Sequence, residues 1–311
     1  MYYRFYTADV FTTKQFGGNQ LAIFPHAEGL DTHSMHMVAR EFNISETVFV
    51  FPPEDPDNTR HLRIFTPSIE LPFAGHPSIG TAFTLAAIQE IPLYGESMEV
   101  KFEEEVGIVT VNIFTKDGKP TFAQLVAAVL PKFGPPPPDT KILASVLSIE
   151  SNDILKNDFS PQAVSCGVPF LFIPLKDRSA LSRAHLNREK WREHLSHYWA
   201  PHLYLFTLDA GDPECSIRAR MFAPAMGISE DPATGAGATA LGGYLGSRNP
   251  QTDGMLKWII EQGIEMGRPS KLEVETDKKN GQITAIRVGG SCVMVSEGLI
   301  NISLGHETGN S

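Results

Sequence analysis

The sequence predicts an α+β fold of two pseudo-symmetric domains, each a curled mixed or antiparallel sheet around a central helix. The chain has 311 residues, which is too long for one ordinary core and suits two. Strand-like and helix-like segments alternate along it, and four consecutive prolines occupy residues 135–138, near the middle. Because proline cannot join the interior of a sheet or a helix, residues 132–140 are the best candidate for a linker.

The first half contains five predicted strands and two predicted helices. Apolar patterning predicts strands at residues 4–11, 20–24, 46–51, 61–65 and 108–114. A helix is expected at residues 31–42, with Asp31 or Thr32 as its cap, and another at 77–89, which is rich in small apolar residues. These elements form a predicted first domain at residues 1–131.

The second half repeats this plan over residues 132–297. Helices are expected at residues 140–147, 187–195 and 234–245, the last again rich in glycine and alanine. Strands are expected at residues 168–175, 202–208, 216–222, 257–262, 271–275, 283–288 and 292–296. The tail near residues 298–311 could add a last strand and return it to the first domain.

Two local patterns occur in both halves and suggest an ancient duplication. The segment from Gly18 to Pro25 resembles the segment from Gly167 to Pro174, with glycine and proline equally spaced. The tripeptide Phe-Thr-Pro at 65–67 resembles Phe-Ala-Pro at 222–224, and each precedes a helix start rich in small residues. A buried central helix wrapped by a sheet would explain those small residues, since they let strands pack close. The alternative is coincidence in a chain rich in glycine and proline.

Composition excludes several classes of protein. The net charge of −10 argues against nucleic acid and anionic membrane surfaces, which select for basic patches. No apolar run reaches the roughly 18–20 residues needed to span a bilayer, and the first residues lack the layout of a signal peptide. The three cysteines, Cys166, Cys215 and Cys292, fit reduced thiols better than disulfides or a zinc site. We therefore expect a cytoplasmic protein.

The segment around Gly75 and His76 is the first candidate for chemistry. Pro77 suits the first turn of a helix, which places Gly75 and His76 at the helix entrance. Free backbone N–H groups there favour an anion such as a carboxylate or a developing enolate. His76 could donate a hydrogen bond to that anion or move a proton. The alternative is a capping histidine beside a turn glycine.

Asp231 is the second candidate. It precedes Pro232 and a glycine-rich helix that starts near Thr234 and Gly235, so its carboxylate is expected to cap that helix and point towards its entrance. Simple capping is the alternative. The glycines fit neither the spacing of a phosphate-binding P-loop nor that of a dinucleotide-binding Rossmann motif.

Glu46 is the third candidate, because it lies between a predicted helix and a buried strand. A carboxylate shielded from water at such a place suits general acid–base chemistry. The alternative is an exposed glutamate at a strand start.

Other polar groups are weaker candidates. The histidine pairs 33/36 and 194/197 have helical spacing, but no third ligand joins them convincingly, and we expect no metal. Arg268 could orient a substrate carboxylate or pair with an acid between the domains.

The sequence resembles the phenazine-biosynthesis PhzF-like family over almost its whole length. The family's motifs occur in the family's order. They are Gly17-Gly-Asn-Gln-Leu-Ala-Ile-Phe, Ser45-Glu-Thr, Phe65-Thr-Pro, Gly75-His-Pro, Cys166-Gly-Val-Pro-Phe, Arg220-Met-Phe-Ala-Pro, Glu230-Asp-Pro-Ala-Thr-Gly, Gln262-Gly and Met266-Gly-Arg-Pro-Ser.

The resemblance implies the diaminopimelate-epimerase fold, in which two helix N-termini face one cleft. It implies an isomerase without metal or organic cofactor, like the family's trans-2,3-dihydro-3-hydroxyanthranilate isomerase. Glu46, His76 and Asp231 match catalytic positions, and Gly75, Thr234 and Gly235 match substrate-binding positions. The paired catalytic cysteines of related epimerases and racemases are absent, and neither Cys166 nor Cys215 is expected at a helix entrance.

The sequence therefore predicts an isomerase that moves a proton on a small carboxylate-bearing metabolite. Nucleic acid and membranes are not expected partners, and a homodimer is expected. One position departs from the family: Ala236 replaces the serine of the family's usual Thr-Gly-Ser sequence. The missing hydroxyl leaves open a second hypothesis, a non-catalytic PhzF-like binding or interaction protein.

Overall fold

The computed structural model describes residues 1–302, which form a mixed sheet with a few helices. The strands of the first half are β1 (Tyr2–Val10), β2 (Asn19–Phe24), β3 (Glu46–Phe51), β4 (Arg60–Phe65), β5 (Glu70–Leu71), β6 (Ser97–Glu104), β7 (Gly107–Lys116) and β8 (Lys119–Val126). The remaining strands are β9 (Lys132–Phe133), β10 (Gln162–Ser165), β11 (Pro169–Pro174), β12 (His202–Thr207), β13 (Ile217–Ala223), β14 (Ile228–Asp231), β15 (Gly254–Gln262), β16 (Ser270–Lys279), β17 (Gln282–Gly290) and β18 (Cys292–Asn301).

The helices are α1 (Thr32–Phe42), α2 (Gly75–Ala87), α3 (Thr140–Leu147), α4 (Arg178–Arg183), α5 (Arg188–His194) and α6 (Gly235–Arg248). Asp31 caps α1 by accepting from the Ser34 N–H at 2.7 Å. The sequence missed the strands β5, β6, β8, β9, β10 and β14 and the helix α4, and β9 lies inside the predicted linker. Charged residues mask the alternation of β6, and α4 is too short to show a helical period. None of the helices within residues 1–302 combines the length and the apolar character required to cross a membrane.

Strand pairing repeats in the two halves. In the first half β1–β2 is antiparallel, β2–β3 parallel, β3–β4 antiparallel and β4–β6 parallel, and the β6–β7–β8 meander follows. In the second half β10–β11, β11–β12, β12–β13, β13–β15 and β15–β16–β17 pair in the same order and directions. The two Gly-to-Pro segments correspond to β2 and β11, and the two Phe-x-Pro segments end β4 and β13. The sequence repeat therefore reflects a structural repeat.

Within residues 1–302 the chain crosses between the halves twice. After β8 the chain enters the second half as β9, which pairs with β10, and after β17 it returns as β18, which pairs with β1 along its length. An antiparallel β8–β17 pairing joins the halves into one hydrogen-bonded network. We propose a first domain of residues 1–131 and a second that begins at residue 132. The returning strand begins at Cys292 and not near 298, and residues 303–311 lie outside the described part.

The two central helices explain the small residues. Every residue of α2 except Ala87 is buried, as is almost all of α6. On α6, Gly242 and Gly246 face Val274 and Thr276 of β16 so closely that a Cβ at either position would lie 3.0 Å or less from a side-chain atom. Both helices therefore run through the protein core, and their N-termini lie inside it.

Candidate active site

The N-termini of α2 and α6 meet at the centre of the molecule. A Cβ placed on Gly75 would lie 3.3 Å from the backbone nitrogen of Ala236, and one placed on Gly235 would lie 3.5 Å from that of His76. The first N–H groups of a helix have no partner within it, and the helix dipole makes that end positive. Two such ends in contact create a strong attraction for an anion. Gly75, Thr234 and Gly235, the expected substrate-binding residues, lie at this junction.

Helix α2 begins two residues earlier than the sequence predicted. Its N-cap is Ala74, which is extended and makes no side-chain capping bond, so Pro77 is the third helical residue. His76 therefore lies in the first turn, and its ring turns away from the helix instead of capping it. The capping alternative for His76 is wrong.

Glu46 and His76 form a buried pair. Glu46 is the first residue of β3, and its Oε2 lies 3.0 Å from His76 Nε2. The exposed fractions are 7% for Glu46 and 5% for His76, so the alternative of an exposed glutamate is wrong. At this distance the two side chains form an ion pair when His76 is protonated. Burial acts to lower the pKa of His76, but the charges of Glu46 and Asp231 outweigh it and raise that pKa.

Asp231 completes the cluster from the second half. It ends β14, and its carboxylate accepts hydrogen bonds from Thr234 Oγ1 at 2.5 Å and from Asn19 Nδ2 at 2.8 Å. Burial raises the pKa of Asp231 to about 6, and the charge of Glu46 adds to this rise. The prediction that Asp231 caps α6 is wrong. Thr234 is the N-cap residue, no side chain caps the helix, and the Asp231 carboxylate binds side chains instead of helix N–H groups.

Two amides that the sequence reasoning gave no role hold this arrangement. Asn19 Nδ2 donates both to Asp231 and, at 2.9 Å, to the Ala233 carbonyl, and so connects the halves across 212 positions of sequence. The Gln262 amide nitrogen donates to the Asp231 carbonyl and to Thr234 Oγ1, and its Oε1 accepts from Tyr204 OH. Both amides belong to motifs noticed in the sequence, but no spacing signal reveals what they bind.

The sequence left two roles open for Arg268, binding a substrate carboxylate or pairing with an acid between the domains. The structure shows the second. Its Nη2 donates to Asp9 Oδ1 at 2.5 Å, and its Nε donates to the Gly18 carbonyl at 2.8 Å. Because Asp9 and Gly18 belong to the first half, this arginine fastens the second half against it.

A small apolar cavity lies beside the helix junction. It has a volume of about 50 Å³, and Gly75, Ala236 and Cys166 are among its lining residues. Cys166 thus lies nearer the entrances than the sequence predicted, although burial raises the pKa of its thiol to about 12. A larger cleft of about 430 Å³ opens elsewhere between the halves, next to Phe11 and Lys271, and none of the predicted site residues lines it. We place the candidate site at the junction, because the buried titratable groups are there.

The acid–base residues occupy only one of two equivalent sides of the junction. In the strand registers Glu46 pairs with Leu21 and His202 pairs with Phe170, so His202 is the counterpart of Glu46. By the same alignment Val168 replaces Asn19, and Ala236 replaces His76. Burial lowers the pKa of His202 to about 4, which keeps it neutral. The second side therefore carries no charged counterpart of Glu46 or His76.

The described residues contain no group of three or more His, Cys, Asp or Glu side chains arranged to hold a metal ion. The chemistry that this junction offers is proton transfer between Glu46, His76 and Asp231 and a bound anion.

Comparison with known proteins identifies relatives of this chain. The PhzC-PhzF model, described as phenazine biosynthesis-like protein, matches residues 8–298. An uncharacterized isomerase of Mesorhizobium japonicum is 37% identical and is matched over 94% of this chain and 97% of its own. Trans-2,3-dihydro-3-hydroxyanthranilate isomerase of Pseudomonas chlororaphis is 32% identical, with the same two coverages.

Solved structures share the fold. The PhzF-family phenazine biosynthesis protein of Bacillus anthracis superposes with a TM-score of 0.85 at 25% identity, over 97% of this chain and all of that one. A hydroxyproline epimerase from Agrobacterium vitis superposes with a TM-score of 0.62 at 13% identity, over 96% and 92% of the two chains. The fold is thus that of PhzF proteins and of the wider epimerase and racemase group.

Proposed function

The chain belongs to the phenazine biosynthesis-like PhzC-PhzF family and is an isomerase, and we propose that it moves a proton within a small carboxylate-bearing metabolite by acid–base catalysis without a cofactor. The observation that carries this proposal is the buried cluster of Glu46, His76 and Asp231 at the meeting point of two helix N-termini. The helix ends supply the anion site, and the cluster supplies the base.

Glu46 is the proposed proton carrier. Its carboxylate takes a proton from a substrate carbon next to an unsaturated acid group, and the electron pair of the broken C–H bond spreads into that group. The helix N–H groups and the protonated His76 then stabilise the added negative charge. Glu46 returns the proton to a different carbon, which completes an isomerisation with no change in atoms or electrons.

The one-sided arrangement supports transfer on a single face of the substrate. A racemase that works with two bases needs a proton carrier on each side. Here the counterpart of His76 is Ala236, which carries no proton, and the counterpart of Glu46 is His202, a weak base because burial lowers its pKa to about 4. The single base therefore favours isomerisation over racemisation.

Substrate entry requires the two halves to separate. Gly75 and Gly235 are in van der Waals contact, and the cavity of about 50 Å³ beside them is small for a metabolite. Within residues 1–302 the chain passes between the halves twice, from β8 to β9 and from β17 to β18. We propose that these crossings act as the hinge and that closure excludes water from Glu46.

The substrate itself stays open. The relative from Pseudomonas chlororaphis is named for trans-2,3-dihydro-3-hydroxyanthranilate, but Ala236 lacks the hydroxyl usual in the resembling family. The same residue is the feature that favours the second hypothesis, a binding protein without turnover. The buried pair of Glu46 and His76 favours catalysis, since titratable groups withdrawn from water beside a helix junction are arranged as acid–base residues are.

The test is proton exchange in heavy water. A panel of small cyclic and aliphatic unsaturated acids is incubated with the protein, and NMR follows deuterium at each carbon. Glu46→Gln keeps the shape and removes the base, so exchange should fall at least about 10²-fold. Glu99→Gln, an exposed change on β6, is the matched control and should exchange at the wild-type rate. Wild-type exchange by folded Glu46→Gln would overturn the mechanism.

Three further properties stay predictions. We propose that the purified protein carries no stoichiometric metal or organic cofactor, which elemental analysis and an absorbance spectrum would test. We also propose a homodimer, to be tested by sedimentation, and a cytoplasmic location, to be tested by cell fractionation.

A further inference from the structure

The cavity beside the helix junction points to the kind of group that the substrate carries on the side away from Glu46. We propose that the substrate is a small unsaturated carboxylic acid with a hydrocarbon group of one or two carbons, and no hydroxyl or amino group, next to Ala236. This inference rests on the proposed function, since it assumes that the carboxylate lies at the two helix N-termini.

The cavity wall is almost entirely hydrocarbon. On the side of the first half, Val109 and Leu125 are buried and form the inner part of the wall, whereas Val106 and Val129 are exposed and form its rim. Ala236 contributes to the wall from the second half. A buried apolar wall favours a hydrocarbon group because both surfaces leave water on contact.

The few polar side chains in the wall offer a ligand little. The Thr239 hydroxyl donates to the Gly235 carbonyl at 2.9 Å, so its hydrogen is already used. Cys166 is a neutral thiol, which is a weak donor and acceptor. In the inner part of the cavity a substrate hydroxyl or amino group would give up hydrogen bonds to water and find only the Cys166 thiol and the Thr239 oxygen among the side chains, and that loss disfavours its binding.

The size of the cavity limits the group. A volume of about 50 Å³, measured as the space open to the centre of a water-sized sphere, holds only a few groups of that size, each taking roughly 10–15 Å³. A methyl or ethyl group fits this space, whereas a longer chain requires the wall to move.

The two sides of the junction thus recognise different parts of one molecule. Glu46, His76 and Asp231 lie on one side, the helix N-termini lie in the middle, and the hydrocarbon wall lies on the other. A substrate held by its carboxylate in the middle presents its acidic C–H bond to Glu46 and its hydrocarbon substituent to Ala236.

The test compares three acids that share one skeleton and differ in a single group of similar size. The probes are 2-methylbut-3-enoate, 2-hydroxybut-3-enoate and 2-aminobut-3-enoate, each of which can move a proton from the second carbon to the fourth. We expect kcat/KM for deuterium incorporation at the fourth carbon to be roughly 10- to 100-fold higher for the methyl compound, the range set by an unsatisfied buried polar group.

Two variants test whether Ala236 sets the preference for the methyl compound. Ala236→Ser supplies a hydroxyl, and we expect it to reduce or reverse the preference for methyl. Ala285→Ser, a half-buried change on β17 at a residue that does not line the cavity, is the matched control and should keep it.

Binding separates this inference from the proposed mechanism. Calorimetry with the saturated acids 2-methylbutanoate and 2-hydroxybutanoate, which have no double bond to move, should show tighter binding of the methyl acid. Equal or tighter binding of the hydroxy acid, or faster exchange of the hydroxy or amino probe, would overturn the inference while leaving the Glu46 mechanism in place. Preferred binding of the methyl acid without exchange of any unsaturated acid would uphold the inference and overturn the mechanism.

Discussion

Arg63 and Arg220 make the same two contacts at equivalent positions of the two halves. Arg63 binds both carboxylate oxygens of Glu70, at 2.7 Å each, and its guanidinium carbon lies 5.3 Å from the centre of the Phe65 ring. Arg220 binds Glu230 in the same way, at 2.7 and 2.9 Å, and lies 5.0 Å from the Phe222 ring. Each pair fixes the loop that leads into a central helix, so the repeat includes side chains as well as strands.

The two pairs should differ in their contribution to stability. The Arg220 side chain is 8% exposed and also donates to the Leu181 and Ala184 carbonyls, whereas the Arg63 side chain is 26% exposed. Arg220→Met leaves these buried groups unpaired, and we expect it to lower the free energy of unfolding by roughly 3–5 kcal/mol. Arg63→Met is the matched control, with an expected cost of about 1 kcal/mol or less. Urea denaturation measures both, and equal costs would contradict this account.

Glu104 should make stability depend on pH. It lies behind the entrance of α2, where its Oε1 is 2.6 Å from Ser78 Oγ, and Ser78 Oγ is 2.8 Å from the Ala74 carbonyl. A hydroxyl has one hydrogen, so if Ser78 donates it to the carbonyl, Glu104 must carry the proton between them. Burial accordingly raises the pKa of Glu104 to about 8.

Because the pKa of Glu104 is raised in the folded state, its contribution to stability is fully present below its ordinary pKa of 4.5 and is lost as pH rises through about 8. Glu104→Gln stays neutral, so raising the pH from 5 to 8 should remove this stability from the wild type but not from the variant. The free energy of unfolding of the variant, relative to that of the wild type, should therefore rise by at most about 5 kcal/mol, since one pKa unit corresponds to about 1.4 kcal/mol. Urea denaturation at both pH values gives the difference. A difference that does not change with pH would show that Glu104 is ionised throughout.

Asp231 should set the acid limb of activity. Both of its oxygens accept hydrogen bonds, from Thr234 and Asn19, as an ionised carboxylate does, and its pKa is about 6. Below that pH a proton displaces one donor, so kcat/KM should fall as pH drops through about 6. Asp231→Asn should lose this limb along with most activity. Asp212→Asn, at a half-buried partner of Lys271, should keep it. An unchanged limb in Asp231→Asn would assign it to another group.

The same shift has the opposite effect on stability. Because the pKa of Asp231 is raised in the folded state, its contribution is fully present below its ordinary value of 3.8 and is lost as pH rises through about 6. Activity and stability should therefore change in opposite directions across this range.

Gln262 should be necessary for the shape of the site. Its amide is fully buried, and Asp231, Thr234 and Tyr204 all depend on it for hydrogen bonds. Gln262→Leu removes these partners from buried groups, at an expected cost of roughly 2–4 kcal/mol in the free energy of unfolding. Gln282→Leu, at the exposed start of β17, provides the comparison and should cost little. Thermal unfolding of both variants decides whether the amide is as important as its contacts suggest.

The sequence by itself determined the fold class, most strands and helices, and the duplication. These features rest on local signals, such as alternation in β3, the Asp31 cap of α1, and the paired Gly-to-Pro and Phe-x-Pro segments, which need no knowledge of distant contacts. The three titratable residues Glu46, His76 and Asp231 were found through motifs at strand ends and helix starts.

Only the tertiary structure decided how these residues act together. Asn19 and Asp231 are 212 positions apart, and nothing local predicts that one amide bridges the two halves. Whether Asp231 caps α6 depends on where its carboxylate can reach, and the nearby Asn19 and Thr234 donors draw it away from the helix N–H groups. The asymmetry of the site, polar beside Glu46 and apolar beside Ala236, exists only because strand register places these counterparts on opposite sides of one helix junction.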